Sequence, residues 1–275
     1  MTTWRSVARK EIRGLIGNRT AKIGIGLVML VFVLGGYIVP TNVSDPTIAD
    51  YDEFLRGIVS FLVPLFGLLL GYRAVVGERA TGRLTLMLSF PYSRADVVVG
   101  KVVGRGIILV GTIAIGILGG AWLVAYPFGT VALDTLASYV GATALFGVVF
   151  LAIGVGLSTL TSSLRRATVF TFGTFFLSAV AWPQLDGYFL QALEYLNLAS
   201  DELPDWAVFV HGVEPGLLYI RVLNTFVTPN QLQSGAALGS SGPWYMGGSV
   251  AVVLLFGWAL TPIVGGYLQF QGTDL

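Results

Sequence analysis

The chain has 275 residues, 55% of them hydrophobic and only 11% charged, and its mean hydropathy is +0.78. A soluble domain carries about a quarter charged residues, so a water-soluble globule is excluded and the composition is that of an integral membrane protein. The formal net charge of +1 points to no particular partner, and the absence of cysteine rules out disulfides and thiolate chemistry.

The chain opens with "WRSVARKEIRGLIGNR". At helical spacing Trp4, Val7, Ala8, Ile12, Leu15 and Ile16 share one face, while Arg5, Arg9, Lys10 and Arg13 lie mainly off it. A basic amphipathic helix with a tryptophan suits the plane of a membrane interface. Residues 1–19 are read as such a helix, with Trp4, Arg5, Arg9, Lys10, Ile12 and Arg13 as its interfacial residues. The same charges also fit a purely topogenic cluster. A basic stretch before an apolar run resembles a signal peptide. The run is too long, however, and no small-residue cleavage pattern follows "GGYIVPTN", so it reads as a first span that is retained.

Six apolar runs follow, at 23–39, 57–72, 106–125, 136–157, 168–182 and 246–267. About 20 apolar residues, rising about 1.5 Å each, cross about 30 Å of hydrocarbon. The second and fifth runs fall short of that, so their helices are expected to extend beyond them. The runs are continuous rather than alternating, which argues for helices over barrel strands. Within and beside them Gly67 and Gly71, Gly100 and Gly104, and Gly116 and Gly120 recur at the spacing that lets helix backbones approach.

Lysine and arginine set the orientation. Arg5, Arg9, Lys10, Arg13, Arg19, Lys22, Arg73, Arg79, Arg83, Arg94, Lys101, Arg105, Arg165 and Arg166, 14 of the 16 basic residues, fall on one side of a six-span arrangement. Only Arg56 and Arg221 fall on the other. Both termini are therefore expected in the cytoplasm. None of the six runs contains Asp, Glu, Lys, Arg or His, whereas carriers driven by protons or sodium keep such groups inside the membrane. An ion-coupled carrier is disfavoured, and energy from a partner is expected.

Between the second and third runs lies a polar insert, "GERATGRLTLMLSFPYSRADVVVGK". A linker between antiparallel helices needs only a few residues. From Glu78 onward, Leu84 and Leu88 share a helical face and Arg79 and Arg83 stack at i and i+4. Gly82 costs roughly 1 kcal/mol of helix propensity and marks a bend or close approach. Pro91 stops the helix, and Ser93 to Asp96 has the spacing of a capping box that starts the next one. The insert reads as a rigid cytoplasmic knob, or else as a topogenic loop on the lipid headgroups.

The outer segment 183–245 holds two amphipathic stretches broken by an acidic run at 201–205. Its acidic rim either gates release or simply keeps an exposed loop soluble. The only histidine, His211, is placed there as a solvated side chain. No zinc-protease H-E-x-x-H, G-x-S-x-G elbow or G-x-x-x-x-G-K-[ST] loop occurs: Lys101 is followed by Val102. The chain therefore lacks the usual ATP-binding loop.

The insert resembles the E-x-x-x-G-[ST]-L-x-x-L-L-S-x-P-x-S-R-x-x-[IV]-x-x-G-K stretch of the ABC-2 type transporter permeases. Glu78, Gly82, Leu84, Leu88, Ser89, Pro91, Ser93, Arg94, Gly100 and Lys101 match it, while Arg83 replaces a small hydroxyl residue and Met87 a leucine. "GVGLSTLTSSLRRATVFTF" is similar to the family's turn between the fourth and fifth spans, ending in Arg165 and Arg166. Within the family the chain looks most like the branch with nitrous-oxide reductase maturation permeases.

The resemblance implies an all-α membrane protein with six transmembrane helices, an N-terminal interfacial helix and a cytoplasmic coupling segment at 78–96. It makes 1–275 a single permease domain, with 183–245 outside the cell and partly re-entrant. It also implies a multi-pass permease subunit of the cell membrane, an exporter that is not itself an enzyme. A separate ABC ATPase subunit would bind ATP and Mg, so no cofactor is expected in this chain. Glu78, Arg79, Gly82, Arg83, Leu84, Leu88, Pro91 and Arg94 would face that ATPase. A second permease copy or sister permease, and lipid, complete the expected partners, with no nucleic acid. A scaffold or assembly factor that binds an ATPase without passing substrate is the alternative.

Overall fold

The computed structural model describes residues 3–42, 48–89, 92–128, 132–185, 188, 191–192, 195, 205–227 and 244–271, and every regular element among them is helical. The basic opening stretch forms α1 (Thr3–Gly17) and the first apolar run forms α2 (Arg19–Asn42). Asn18 parts them: its side-chain oxygen accepts the Thr20 and Ala21 amides at 2.8 and 3.3 Å, satisfying donors that a helix start leaves free. The second run becomes α3 (Ile48–Gly71), followed by a turn, α4 (Val76–Ala80) and α5 (Arg83–Leu88). Then come α6 (Arg94–Phe128), α7 (Leu133–Leu160), α8 (Leu164–Phe175), α9 (Asp205–His211), α10 (Pro215–Phe226) and α11 (Gly248–Gln271).

Among the described residues five helical stretches are long and apolar enough to cross a membrane: Arg19–Asn42, Asp50–Ala80, Arg94–Ala125, Leu133–Leu160 and Gly248–Gln271. They take in the runs at 23–39, 57–72, 106–125 and 136–157 and nearly all of 246–267. The fifth expected run, 168–182, falls on α8. Its 12 residues continue into a π-helical stretch, Phe176–Ala181, and a 3-10 turn, Trp182–Gln184.

α7 is apolar on every side, the pattern of a helix surrounded by others, and it packs against α3, α6, α10 and α11. The glycine pairs mark where backbones touch. A Cβ on Gly67 would come within 2.7 Å of the Gly147 carbonyl oxygen, and one on Gly71 within 2.6 Å of that of Leu151, so α3 crosses α7 there. Gly116 and Gly120 sit against Phe32 of α2, and a Cβ on Gly36 would collide with the Gly120 backbone. Gly100 and Gly104 do the same for α1: added Cβ atoms would meet the carbonyl oxygens of Trp4 and Ala8 at 2.8 and 2.7 Å. One face of α1, with Val7 and Ala8 buried, is thus turned to α6.

The spanning helices are not wholly free of charge. The run 57–72 is only the later part of α3, which starts at Ile48 and carries Asp52 and Arg56. Asp52 is fully buried, and its Oδ2 accepts a hydrogen bond from Arg56 Nη2 at 2.6 Å. Arg56 Nη1 donates to Asn224 Oδ1 of α10 at 2.7 Å.

α9 and α10 form a hairpin packed on the bundle. Leu218, Tyr219, Val222 and Leu223 of α10 are buried, with Tyr219 stacked on Phe146 of α7 at 4.3 Å and its hydroxyl 3.0 Å from Thr143 Oγ1. The end of α10 is level with the start of α11, where Thr225 lies against Gly248. The hairpin tip is level with Trp258, whose Nε1 donates to the Val213 carbonyl at 2.8 Å. Ten residues of helix separate those two levels, about 15 Å at 1.5 Å per residue. His211 belongs to this tip and is not the solvated side chain its loop position suggests. Its Nε2 is 3.2 Å from the Trp182 carbonyl oxygen, Trp182 Nε1 donates to its carbonyl at 2.9 Å, and the two rings are parallel within 8°.

Candidate functional site

The charged ends of α1, α4 and α6 converge. Because Gly100 and Gly104 bring α1 against α6, Glu11 meets Lys101 and Arg105, one helical turn apart. Glu11 Oε1 lies 2.9 Å from Lys101 Nζ, and its Oε2 lies 2.8 Å from Arg105 Nε and 2.7 Å from Arg105 Nη2. Burial raises the Glu11 pKa, but the charges of Arg105 and Lys101 and their hydrogen bonds outweigh it and hold the carboxyl below its ordinary value. Lys101 also pairs with Glu78 Oε2 at 2.7 Å, and Glu78 Oε1 pairs with Lys10 at 3.1 Å. Lys101 itself has no exposed side-chain surface. A charge buried so completely is tolerated only when paired, and here two carboxylates flank it. Arg105 further donates to the Leu70 carbonyl at the end of α3.

The insert is shaped by this network and by three further contacts. The turn into α4 is held by Ser158 of α7, whose Oγ accepts the Val75 and Val76 amides at 2.9 and 3.0 Å. Gly82 takes φ +70°, a left-handed conformation that costs glycine nothing, and so turns α4 into α5. The capping box forms reciprocally: the Ser93 amide donates to Asp96 Oδ2 at 3.1 Å, and the Asp96 amide donates to Ser93 Oγ at 3.0 Å.

The sequence-named residues therefore separate into inward and outward sets. Glu78 is committed to the network. Arg79 and Arg94 both lie over the Phe270 ring, 5.6 and 5.2 Å from its centroid. Arg94 donates to the Phe270 carbonyl and, at 2.9 Å, to that of Gln271. Leu84 is 1% exposed and packs in the protein's own core. Arg83 is exposed, and so is Leu86, at 67%. The Leu88 side chain and Pro91 lie outside the described residues. On α1, Arg5, Arg9, Lys10 and Arg13 are exposed and Trp4 and Ile12 half-buried, with Arg5 over the Trp4 ring at 5.5 Å. Arg165 and Arg166 are exposed at the start of α8. Glu11, Lys101, Arg105, Ser158 and Leu86 went unnamed as site residues in the sequence reading. The one available signal was the i, i+4 pair Lys101 and Arg105, flanked by glycines that admit a second helix.

A second polar constellation lies at the hairpin tip. Glu214 is the N-cap of α10: its Oε2 accepts the Leu217 amide at 2.8 Å, and its Oε1 accepts the Ser178 hydroxyl from the π-helical stretch. Beside it is a cavity of about 360 Å³ bounded by α3, α7, the π-helical stretch and α10.

The sequence model of the family described as "ABC-2 family transporter protein" matches residues 5–275. The chain belongs to that family. It is 31% identical over 182 residues to the "Probable ABC transporter permease protein NosY" of Pseudomonas aeruginosa and 32% identical over 180 residues to the protein of the same name from Stutzerimonas stutzeri. Each alignment covers 62% of this chain and 65% of the relative, so the chain spans just under two thirds of the length of the relatives it matches. As an ABC-2 transporter family member with several helices long and apolar enough to cross a membrane, the chain is a multi-pass membrane protein.

Proposed function

We propose that this ABC-2 permease is the membrane half of an ATP-driven exporter, docked through its first cytoplasmic loop to a separate ATPase subunit that binds ATP and Mg and does the hydrolysis. The loop supports this reading best. An ordinary connection would be short and loose, whereas this one is clamped by Lys101 between Glu11 and Glu78 while Arg83 and Leu86 point outward. A rigid basic knob with an exposed leucine is what a helix-in-groove contact requires. Leu84 supports the knob from inside, and Arg83 and Leu86 take its place as the proposed contacts, with Arg165 and Arg166 of the neighbouring turn.

In this reading α8, the π-helical stretch and the 3-10 turn together make a sixth span, and both termini are cytoplasmic. The α9–α10 hairpin enters the membrane from outside to the depth of Trp258. A second permease copy, or a sister chain, provides the other half of the pathway.

The test is a mild-detergent pull-down of the tagged chain, with mass spectrometry of what accompanies it. An ATPase with a phosphate-binding loop should come down with the wild type and be lost in an Arg83→Glu, Leu86→Asp double variant that still inserts. Absence of any ATPase, or its full retention by the double variant, overturns the docking. A scaffold would retain the ATPase but show no stimulation of its activity by any cargo.

A further inference from the structure

Glu214 is a carboxylic acid kept 6% exposed, and among the described residues it has no ion-pair partner. Its hydrogen bonds from the Ser178 hydroxyl and the Gly216 and Leu217 amides still leave part of a carboxylate's capacity of about four lone-pair sites. The start of α10 offsets about half of a unit charge. What remains faces the cavity, whose walls are mainly apolar and aromatic, with Phe61, Pro64, Phe146 and Phe150 among them and Ser60, Ser178 and Gln184 as the further polar groups. A buried anion without a counter-ion is costly, and aromatic walls attract cations through their π faces. The volume, about 360 Å³, lies in the range of small-molecule sites.

We propose that this cavity binds a monovalent organic cation with an apolar body, an alkyl- or arylammonium, whose charge pairs with Glu214. The aromatic walls exclude water and select the apolar body, while the single carboxylate selects one positive charge. The π-helical stretch serves the site directly, because it presents Ser178, Ala179 and Val180 in succession to the cavity. As the cargo site of a permease the proposal rests on the function proposed above. Binding is therefore measured without ATP or any partner, so that the two can fail separately.

The experiment is equilibrium dialysis of radiolabelled phenyltrimethylammonium against the intact chain in lipid nanodiscs, with tert-butylbenzene as an uncharged competitor of the same shape. Saturable binding is expected, weakened at least tenfold in Glu214→Gln, whose amide keeps an oxygen for the Leu217 amide to donate to and an NH2 that can donate to the Ser178 hydroxyl. Gly57→Leu should abolish it, since Gly57 lines the cavity and a Cβ there meets nothing within 4 Å. Tert-butylbenzene should not compete. No saturable binding by the wild type, undiminished binding in Glu214→Gln, or equal competition by tert-butylbenzene, as a pocket for lipid chains would give, overturns the proposal. Should Glu214→Gln fail to fold, Gly57→Leu and the neutral competitor decide. Retained ATPase co-purification alongside failed binding would leave the docking intact, and the converse result would leave the cation site intact.

Discussion

The ammonium of Lys101 sits between two carboxylates of different elements, Glu11 of α1 and Glu78 of α4. Pairs of this kind add little net stability, but removing one partner from a buried pair costs about 3–5 kcal/mol, so the arrangement chiefly fixes where α1 and α4 stand. Glu11 makes the arrangement sensitive to acid in a defined window. Its carboxyl is held below the ordinary value of 4.5, so its contribution is fully present above about that pH and fades as pH falls through its lower folded value. Protection of an Ala8→Cys thiol, buried where α1 meets Gly104 of α6, from a water-soluble disulfide reagent that reacts in acid should be equal at pH 7 and pH 5 after correction for thiol ionisation. It should weaken only below about pH 4.5. Loosening already at pH 6 would mean that Glu11 is not what holds α1. Two members of this network, Glu78 and Lys101, stood out in the sequence as motif positions. Their partnership did not, since it is made through a folded loop with a third residue, Glu11, that reads as a stray acid in a basic stretch.

At the scale of elements, apolar length and glycine spacing carried most of the information. Four of the six runs sit wholly inside long helices, and all three glycine pairs named from spacing lie at helix crossings. The π-helical stretch was not legible: one extra residue per turn leaves no mark on composition, and the local run stays apolar throughout. Nor was the start of α3, where Asp52 and Arg56 look like loop residues until Asn224 from a distant helix is brought beside them. The glycines allow a paired comparison. Gly36→Ala drives a Cβ into the Gly120 backbone, where nothing flexible can yield, whereas Gly265→Ala meets nothing within 4 Å. Overpacking of this kind costs roughly 1–3 kcal/mol. Gly36→Ala should therefore lower the unfolding temperature in detergent clearly, while Gly265→Ala leaves it unchanged or slightly raised. Equal effects would show that α2 and α6 do not touch in this way.

For the whole molecule, the charge asymmetry predicts which face meets the cytoplasm. With 14 of 16 basic residues on one side, epitope tags before α1 and after α11 should both resist protease added to intact cells and be cut once the membrane is opened. Cutting of either tag in intact cells would reverse or break the six-span topology. The hairpin was only half legible: its amphipathic stretch shows in the sequence, but its level along α11 follows from Val213 meeting Trp258 and Thr225 meeting Gly248, residues far apart in the chain.

Arg79 and Arg94 of the insert both rest on Phe270 near the end of α11, while Glu78 beside Arg79 is tied to α1. The first and last described helices are thus fastened to one short piece of chain. A pull on that piece cannot be taken up by a single helix. It reaches α2 through α1 and reaches α11 through Phe270 in the same stroke, so the loop acts as one handle on both flanks of the bundle.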